Sequence, residues 1–239
     1  MRMQVNLFVY NGVGKFGRWL IACLLLVPAA GFAQAAASQS VSPSAPPRKT
    51  SKPYTGDLSI FDSPGREQRL HIQQVMDVLG ISSGKTLADI GAGGGWFTVR
   101  AAERVGSTGT VYAVDINPEA IKYIKARARK QKLSNVKTVL GKADDAQLPA
   151  NSVDAVLLLK TYHEVTDPVS LMRNLGPALR PGAKVGIIDR NGNAESHGVD
   201  REIVLREMQQ AGYRLVDEKD DLVKADEMSY FLIFSVSAK

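Results

Sequence analysis

The stretch LADIGAGGGWFT, residues 87–98, decides how this chain is expected to fold. It begins with a short apolar run typical of a strand and ends where a helical pattern starts, over 96–105. Between the two lie four glycines in five positions. A turn of this kind leads into a helix N-terminus, whose unpaired N–H groups favour an anionic or carboxylate group. The stretch therefore predicts a ligand site in which the missing side chains let a ligand approach the backbone.

Strand and helix patterns alternate along the chain on either side of this stretch. Strands are expected over 85–92, 110–116, 136–141, 152–160, 183–190, 213–218 and 230–236. Helices are expected over 66–79, 96–105, from 118 onward, over 167–179 and over 200–211. This alternation predicts an α/β fold, a doubly wound and mostly parallel sheet with helices on both faces. Ligands bind such sheets at the carboxyl ends of the strands, where the strand order switches.

An acid before the glycines narrows the choice of ligand. Asp89, Gly91, Gly93 and Gly95 form the pattern D-x-G-x-G-x-G directly after the first strand. This spacing differs from the G-x-G-x-x-G of dinucleotide sites. A carboxylate at that position would repel a pyrophosphate, whereas it would attract the ammonium group of an amino acid.

Acids also follow the second and third strands. Asp115 ends the second strand and can accept hydrogen bonds from both hydroxyls of a ribose. A helix cap is the alternative, but Asn117 already fills that role. Asp144 and Asp145 follow the third strand in GKADDAQLP. A carboxylate here could accept from the exocyclic amine of an adenine, or it could belong to a solvated turn.

The fourth strand ends in LLLKTYHEVTDP, which brings Lys160, Tyr162, His163 and Glu164 to its carboxyl end. A histidine can act as a base near neutral pH, so His163 and Glu164 are the candidate catalytic residues. The alternative is that these side chains form a wall of the ligand pocket, and for His163 this second role is favoured.

The N-terminal segment differs from the rest of the chain. Residues 1–18 carry three basic side chains and no acid, and the apolar run within 19–35 is shorter than the ~20 residues of a membrane-spanning helix. Small residues follow, so residues 1–35 are predicted to be a signal peptide that sends the chain to the periplasm. An uncleaved anchor, or a lipoprotein modified at Cys23, is the alternative. Cys23 is the only cysteine, so the mature chain would have no disulfide, zinc-thiolate or cysteine nucleophile.

Composition sets the remaining bounds. Residues 36–55 are rich in Ser, Pro and Ala and are predicted to be a disordered linker before a domain over 56–239. The formal net charge is +6, and three of the 30 basic residues lie in the signal segment, which leaves about +3. Such a charge does not favour nucleic-acid binding. No metal site is predicted.

Taken together, these motifs resemble those of the class I S-adenosylmethionine-dependent methyltransferases over roughly residues 64–239. The chain is most similar to signal-peptide-bearing bacterial predicted methyltransferases with a Tyr-His pair after strand four. The resemblance implies a seven-stranded Rossmann-like sheet whose last strand is antiparallel. It also implies S-adenosyl-L-methionine as the cofactor and methyl transfer to a small-molecule acceptor. That acceptor would lie near His163, Glu164 and the loop RNGNAESHG, 190–198.

The resemblance also assigns cofactor-binding residues. The loop after strand one would hold the methionine moiety, the acid of strand two the ribose, and the acid after strand three the adenine. The assigned residues are Asp89, Gly91, Ala92, Gly93, Gly95, Asp115, Ile116, Asp144 and Lys160. One departure concerns Lys142, which stands where many relatives carry an acid, so that Asp144 would have to make the adenine contact.

Two other functions stay open at this point. A metabolite-binding or scaffold protein without activity would explain a cofactor motif behind a signal peptide. An NAD(P)-dependent oxidoreductase would share the fold and the acid of strand two, but it usually has G-x-G-x-x-G and no acid after strand three.

Overall fold

The computed structural model describes residues 48–50, 54 and 56–237. The predicted signal peptide lies outside these ranges, as does most of the predicted linker. A compact unit extends over Ala45–Lys239. None of the helices in the described ranges has the length and apolar character that crossing a membrane requires.

In the part of this unit that the structure describes, seven strands form one sheet. They are β1 (Thr86–Ile90), β2 (Thr110–Asp115), β3 (Val136–Leu140), β4 (Val153–Leu159), β5 (Leu179–Asp189), β6 (Tyr213–Glu218) and β7 (Tyr230–Val236). Their order is β3-β2-β1-β4-β5-β7-β6. Neighbours among the first five strands are parallel, and β7 runs antiparallel to both β5 and β6. The predicted mostly parallel sheet with an antiparallel last strand is confirmed.

Among the described residues, six α-helices connect and cover the strands. They are α1 (Arg66–Arg69), α2 (Ile72–Val78), α3 (Trp96–Val105), α4 (Pro118–Lys130), α5 (Pro168–Leu175) and α6 (Arg201–Gln210). The α4 helix begins as expected, because Asn117 accepts a hydrogen bond from the backbone N–H of Glu119 and Pro118 takes the first helical position.

The prediction of one helix over 66–79 is wrong. His71 has a left-handed backbone, with φ of 43°, and separates α1 from α2. Leu70 and Ile72 are both fully buried. In a continuous helix these two residues would point to different sides, since each residue turns the chain by about 100°. The break at His71 lets both enter the core.

Two further boundaries differ from the prediction. The helix expected over 167–179 ends at Leu175 and continues as a 3₁₀ turn, Gly176–Ala178. The strand expected over 183–190 begins earlier, at Leu179, so that residues 180–182 lie inside β5, where the pairing shifts from Val153–Leu179 to Ala155–Lys184. This stretch is therefore a bulge, which absorbs the proline without ending the strand.

The core covers both faces of the sheet. In β4, Val156 and Leu158 pack with residues of α5 and α6, whereas Ala155 and Leu157 pack with residues of α2 and α3. Such a strand, buried on both faces, explains the continuous apolar run in the sequence. The order of the strands reverses between β1 and β4, so the carboxyl ends of these two strands border the crevice where a ligand would bind.

Candidate active site

A cavity of about 650 Å³ lies at this crevice. Its volume falls within the ~300–1,000 Å³ typical of small-molecule sites. The cavity is lined by residues from the ends of five strands, among them Asp89, Asp115, His163, Glu164 and Arg190. The sheet register explains this convergence, because Asp89 pairs with Ala113 of β2 on one side and with Leu157 of β4 on the other.

The glycine turn fits against the loop that follows β4. Gly91 has φ of 72°, which favours glycine, and a Cβ atom there would collide with the side chain of Thr161. The Thr161 hydroxyl donates to the Gly91 carbonyl oxygen at 3.2 Å. Gly91 therefore makes room for a neighbouring loop, while the turn as a whole borders the cavity through Gly91, Ala92 and Gly93.

Asp115 joins the end of β2 to the glycine turn. One carboxylate oxygen accepts from the Gly93 N–H at 2.8 Å, and the other accepts from the Asn117 N–H at 2.9 Å. Burial raises the pKa of Asp115. A carboxylate has about four lone-pair positions, so each oxygen keeps capacity for a further donor in the cavity. Ile116 follows as a half-exposed apolar wall.

Asp89 lies deeper, at the end of β1. It is buried, and the Thr98 hydroxyl donates to its carboxylate at 2.6 Å. Burial raises the pKa of Asp89 to about 7, although Thr98 and the charge of Arg66 act in the opposite direction. A cationic ligand in the cavity would lower the pKa of this carboxyl group again, because a nearby positive charge favours its ionised form.

Arg66 is a cavity residue that the sequence motifs do not predict. Its guanidinium group is largely buried and lies 4.5 Å from the ring centroid of Trp96, and its Nε is 3.6 Å from a carboxylate oxygen of Asp226. It is placed to pair with a carboxylate in the cavity. The only signal in the sequence was a basic residue in the apolar pattern of a helix upstream of the glycine turn.

His163 and the buried carboxylate of Asp189 form a pair at the ends of β4 and β5. The Nδ1 atom of His163 lies 2.9 Å from one oxygen of Asp189, and the His163 backbone N–H donates to the other at 3.1 Å. Both residues are almost fully buried. Since a carboxylate only accepts, Nδ1 carries a proton and donates to Asp189, and Nε2 faces Glu164, 3.8 Å from its Oε1.

Two members of this part of the site were missed from the sequence. The sequence pattern predicts Asp189 only as part of a strand, although it stands where a polar residue ends a buried strand. His197 lies on the loop after β5, lines the cavity and has its ring centroid 6.1 Å from that of His163. The loop was predicted to border the acceptor, but His197 was not selected within it. Glu164 is partly buried, and burial raises its pKa.

The structure does not bring every predicted residue into the cavity. Asp144 is exposed and outside the cavity lining, which at this point consists of Lys142 and Ala143. The reason is a tight turn in which the backbones of Lys142 and Asp145 pair, while the Asp144 carbonyl oxygen accepts from Asn174. The adenine contact predicted for Asp144 therefore does not fit this arrangement.

Of the other predicted cofactor-binding residues, Gly95 lies outside the cavity lining, whereas Lys160 lies within it. Gly95 is also outside the lining and packs beside α4, where a Cβ atom would lie 3.1 Å from Ile124. Lys160 does line the cavity, as predicted.

Residues 81–225 match the family model described as a methyltransferase domain. The chain belongs to this methyltransferase family. The matched range contains the glycine turn, the acid of β2 and the His163–Asp189 pair. The prediction of a class I S-adenosylmethionine-dependent methyltransferase family is confirmed in fold and family, and its signal-peptide part concerns residues outside the described ranges.

Individual methyltransferases are similar to this one over part of their length. Nocamycin O-methyltransferase of Saccharothrix syringae is 31% identical over 129 residues, which cover 54% of this chain and 46% of that protein. Demethylmenaquinone methyltransferase of a Geobacillus species is 26% identical over 113 residues, which cover 47% of this chain and 48% of that protein. The chain thus spans about half the length of these curated relatives.

A solved structure is similar over most of the fold. The SAM-dependent methyltransferase of Aquifex aeolicus superimposes with a TM-score of 0.65 at 24% sequence identity, covering 75% of this chain and 97% of that one. At this identity the likeness concerns the fold.

The residues of the cavity fit the cofactor of this methyltransferase family. Asp115 keeps acceptor capacity for ribose hydroxyls, Arg66 can pair with a carboxylate, and Asp89 can pair with an ammonium group. The turn through Gly91 and Gly93 borders this space. The donor and acceptor set therefore matches a ligand with an amino acid at one end and a ribose at the other.

Proposed function

We propose that this protein transfers a methyl group from S-adenosyl-L-methionine to a small-molecule acceptor. The observation that carries the proposal is the junction of Asp115 with the glycine turn, at the switch point of the sheet and in the same cavity as His163. Two relatives are named for demethylmenaquinone and nocamycin, which supports a small molecule as the acceptor.

The chain's contribution is to bind and orient two molecules in one enclosed space. When bound, the cofactor supplies a methyl group on a cationic sulfonium. Asp115 and Asp89 would hold its ribose and its ammonium group, and Arg66 its carboxylate. Alignment of two reactants in one cavity is a large part of such catalysis, since it replaces a bimolecular encounter by a unimolecular step.

The acceptor would lie against His163, Glu164 and the loop 190–198. Asp189 fixes the ring of His163, so its Nε2 atom keeps one direction. Because the pair is nearly fully buried, this direction holds without an ordering cost at the time of reaction. A ring nitrogen in a fixed position beside a partly buried carboxyl group suits the recognition of a polar atom on the acceptor.

The test is methyl transfer from cofactor labelled in its methyl group. The purified chain is incubated with a panel of phenols, quinols, amines and thiols, and labelled product is extracted. We expect label in at least one acceptor class, and a loss of transfer in Asp115→Ala. Cofactor binding without transfer to any class would favour the metabolite-binding alternative, and oxidation of NADH would favour the oxidoreductase.

We also propose that residues 1–35 direct export to the periplasm. Support comes from the basic start, the short apolar run and the small residues that follow. Production in a bacterial host, followed by fractionation and mass measurement, tests this. A periplasmic chain shortened by about 35 residues is expected. A full-length chain in the cytosol or the membrane fraction would contradict it.

A further inference from the structure

Three side chains able to bind a metal converge on the acceptor side of the cavity. His163, Glu164 and His197 each offer one ligand atom, and these atoms all lie within 4.8 Å of one another. Ligand atoms around one tetrahedral zinc ion, each ~2.0–2.2 Å from the metal, are roughly 3.5 Å apart. The separation of His163 Nε2 from Glu164 Oε1, 3.8 Å, is already close to this distance.

Asp189 gives His163 the environment of a metal ligand. A histidine that binds a metal through one ring nitrogen almost always donates its other N–H to a carboxylate or a carbonyl group. Nδ1 of His163 has such a partner in the fully buried carboxylate of Asp189, at 2.9 Å. A histidine that merely fills a core would not need its second nitrogen to face a cavity beside a carboxyl group.

The third candidate ligand can adjust its position. His197 is exposed on the loop after β5, and its backbone is left-handed, with φ of 51°. Exposed side chains change rotamer on the picosecond-to-nanosecond timescale, so closing the remaining gap costs little. Three ligands from two loops would leave a fourth position open toward the cavity.

We propose that His163, Glu164 and His197 bind one divalent transition-metal ion, with zinc as the ion that this ligand set suits best. Two histidines, one carboxylate and an open position are the ligands of catalytic zinc sites. The open position would hold an oxygen atom of the acceptor, and this second part rests on the proposed function. The sequence motifs alone do not predict this metal site.

Equilibrium dialysis of the untagged full-length chain against Zn²⁺, with metal counted by mass spectrometry, tests the binding. The Cys23→Ser background removes the only thiol. We expect one Zn²⁺ per chain and no comparable retention of Mg²⁺. His197→Ala should weaken binding at least about tenfold, since loss of an outer-shell partner alone costs ~10–100-fold. His197 is exposed, so this variant is expected to fold.

His71→Ala is the matched control, because His71 is also exposed and also has a left-handed backbone but lies outside the cavity. Equal Zn²⁺ affinity in the parent, His71→Ala and His197→Ala would overturn the proposal, as would a parent that retains no Zn²⁺. A Co²⁺ absorption spectrum that changes in Glu164→Gln would support the carboxylate as a ligand, and an unchanged spectrum would contradict it.

The metal and the proposed function fail in different ways. Calorimetry of the metal-free chain with S-adenosylmethionine reports the cofactor site alone. Asp115→Ala should lose cofactor and keep Zn²⁺, whereas His197→Ala should lose Zn²⁺ and keep cofactor. Loss of both ligands in His197→Ala would contradict a separate metal site.

Discussion

The buried carboxyl group of Asp89 costs the fold stability at neutral pH, and Asp89→Asn is expected to recover it. Burial raises the pKa of Asp89 from 3.8 to about 7. A shift of about three units corresponds to about 4 kcal/mol, since each unit is worth ~1.36 kcal/mol. The folded state holds the proton more tightly than the unfolded state, so the free energy of unfolding falls as pH rises from about 4 to about 7. An amide has no such dependence and can still accept the hydrogen bond from Thr98.

Urea unfolding at pH 4.5, 6 and 8 measures this effect. The difference in the free energy of unfolding between Asp89→Asn and the parent should grow with pH, by up to about 4 kcal/mol at pH 8. Other titrating groups cancel in the difference, and Asp144→Asn, which replaces an exposed carboxyl group, is the control. A difference that stays constant between pH 4.5 and 8 would refute the reasoning.

The same variant should bind the cofactor less well. The amide cannot become negative beside the ammonium group, so stability and cofactor affinity are expected to change in opposite directions. Calorimetry with S-adenosylmethionine at pH 8 provides the second measurement. An affinity equal to that of the parent would remove Asp89 from the proposed binding site.

Three further perturbations follow from the geometry. Gly91→Ala should lower the free energy of unfolding by about 2–4 kcal/mol, because of the left-handed backbone and the collision with Thr161. Denaturant curves of the double variant Gly91→Ala/Thr161→Ala should show that the loss due to the collision is recovered. Losses of the two single variants that simply add would contradict the collision as a cause. His163→Ala should leave the cofactor affinity unchanged in calorimetry and lower turnover, and a loss of affinity would show that His163 belongs to the cofactor side. Asp189→Asn should lower turnover at an unchanged cofactor affinity, because an amide no longer fixes the tautomer of His163, and turnover equal to that of the parent would exclude an orienting role for Asp189.

Periodicity and strand-end chemistry predicted most of the fold. The apolar run of β4 and the acid and glycines after β1 are local signals, and their order along the chain determines a parallel sheet with a switch point. The break at His71 was not predictable in this way, because it depends on the burial of both Leu70 and Ile72 against elements that are distant in sequence. The same is true of the β5 bulge at 180–182, where turn-forming residues lie within a paired strand.

The site was predicted where a motif directly follows its strand and was missed where contacts are long-range. Asp89, Asp115 and His163 occupy the cavity as the strand-end rule requires. The sequence after β3 does not determine which side chain enters the cavity. It favours Asp144, whereas in the structure Lys142 and Ala143 form the wall. Likewise, no local pattern joins Asp189 to a histidine 26 residues earlier in the chain.

The central claim is that the glycine turn and Asp115 form a site for S-adenosylmethionine, and calorimetric titration tests it most directly. We expect one cofactor per chain, and affinity at least about a hundredfold weaker in Asp115→Ala, since each hydrogen bond to a charged group contributes ~1.5–3 kcal/mol. His71→Ala, outside the cavity, should bind as the parent does. No binding at millimolar S-adenosylmethionine, or a preference for NADH, would contradict the account.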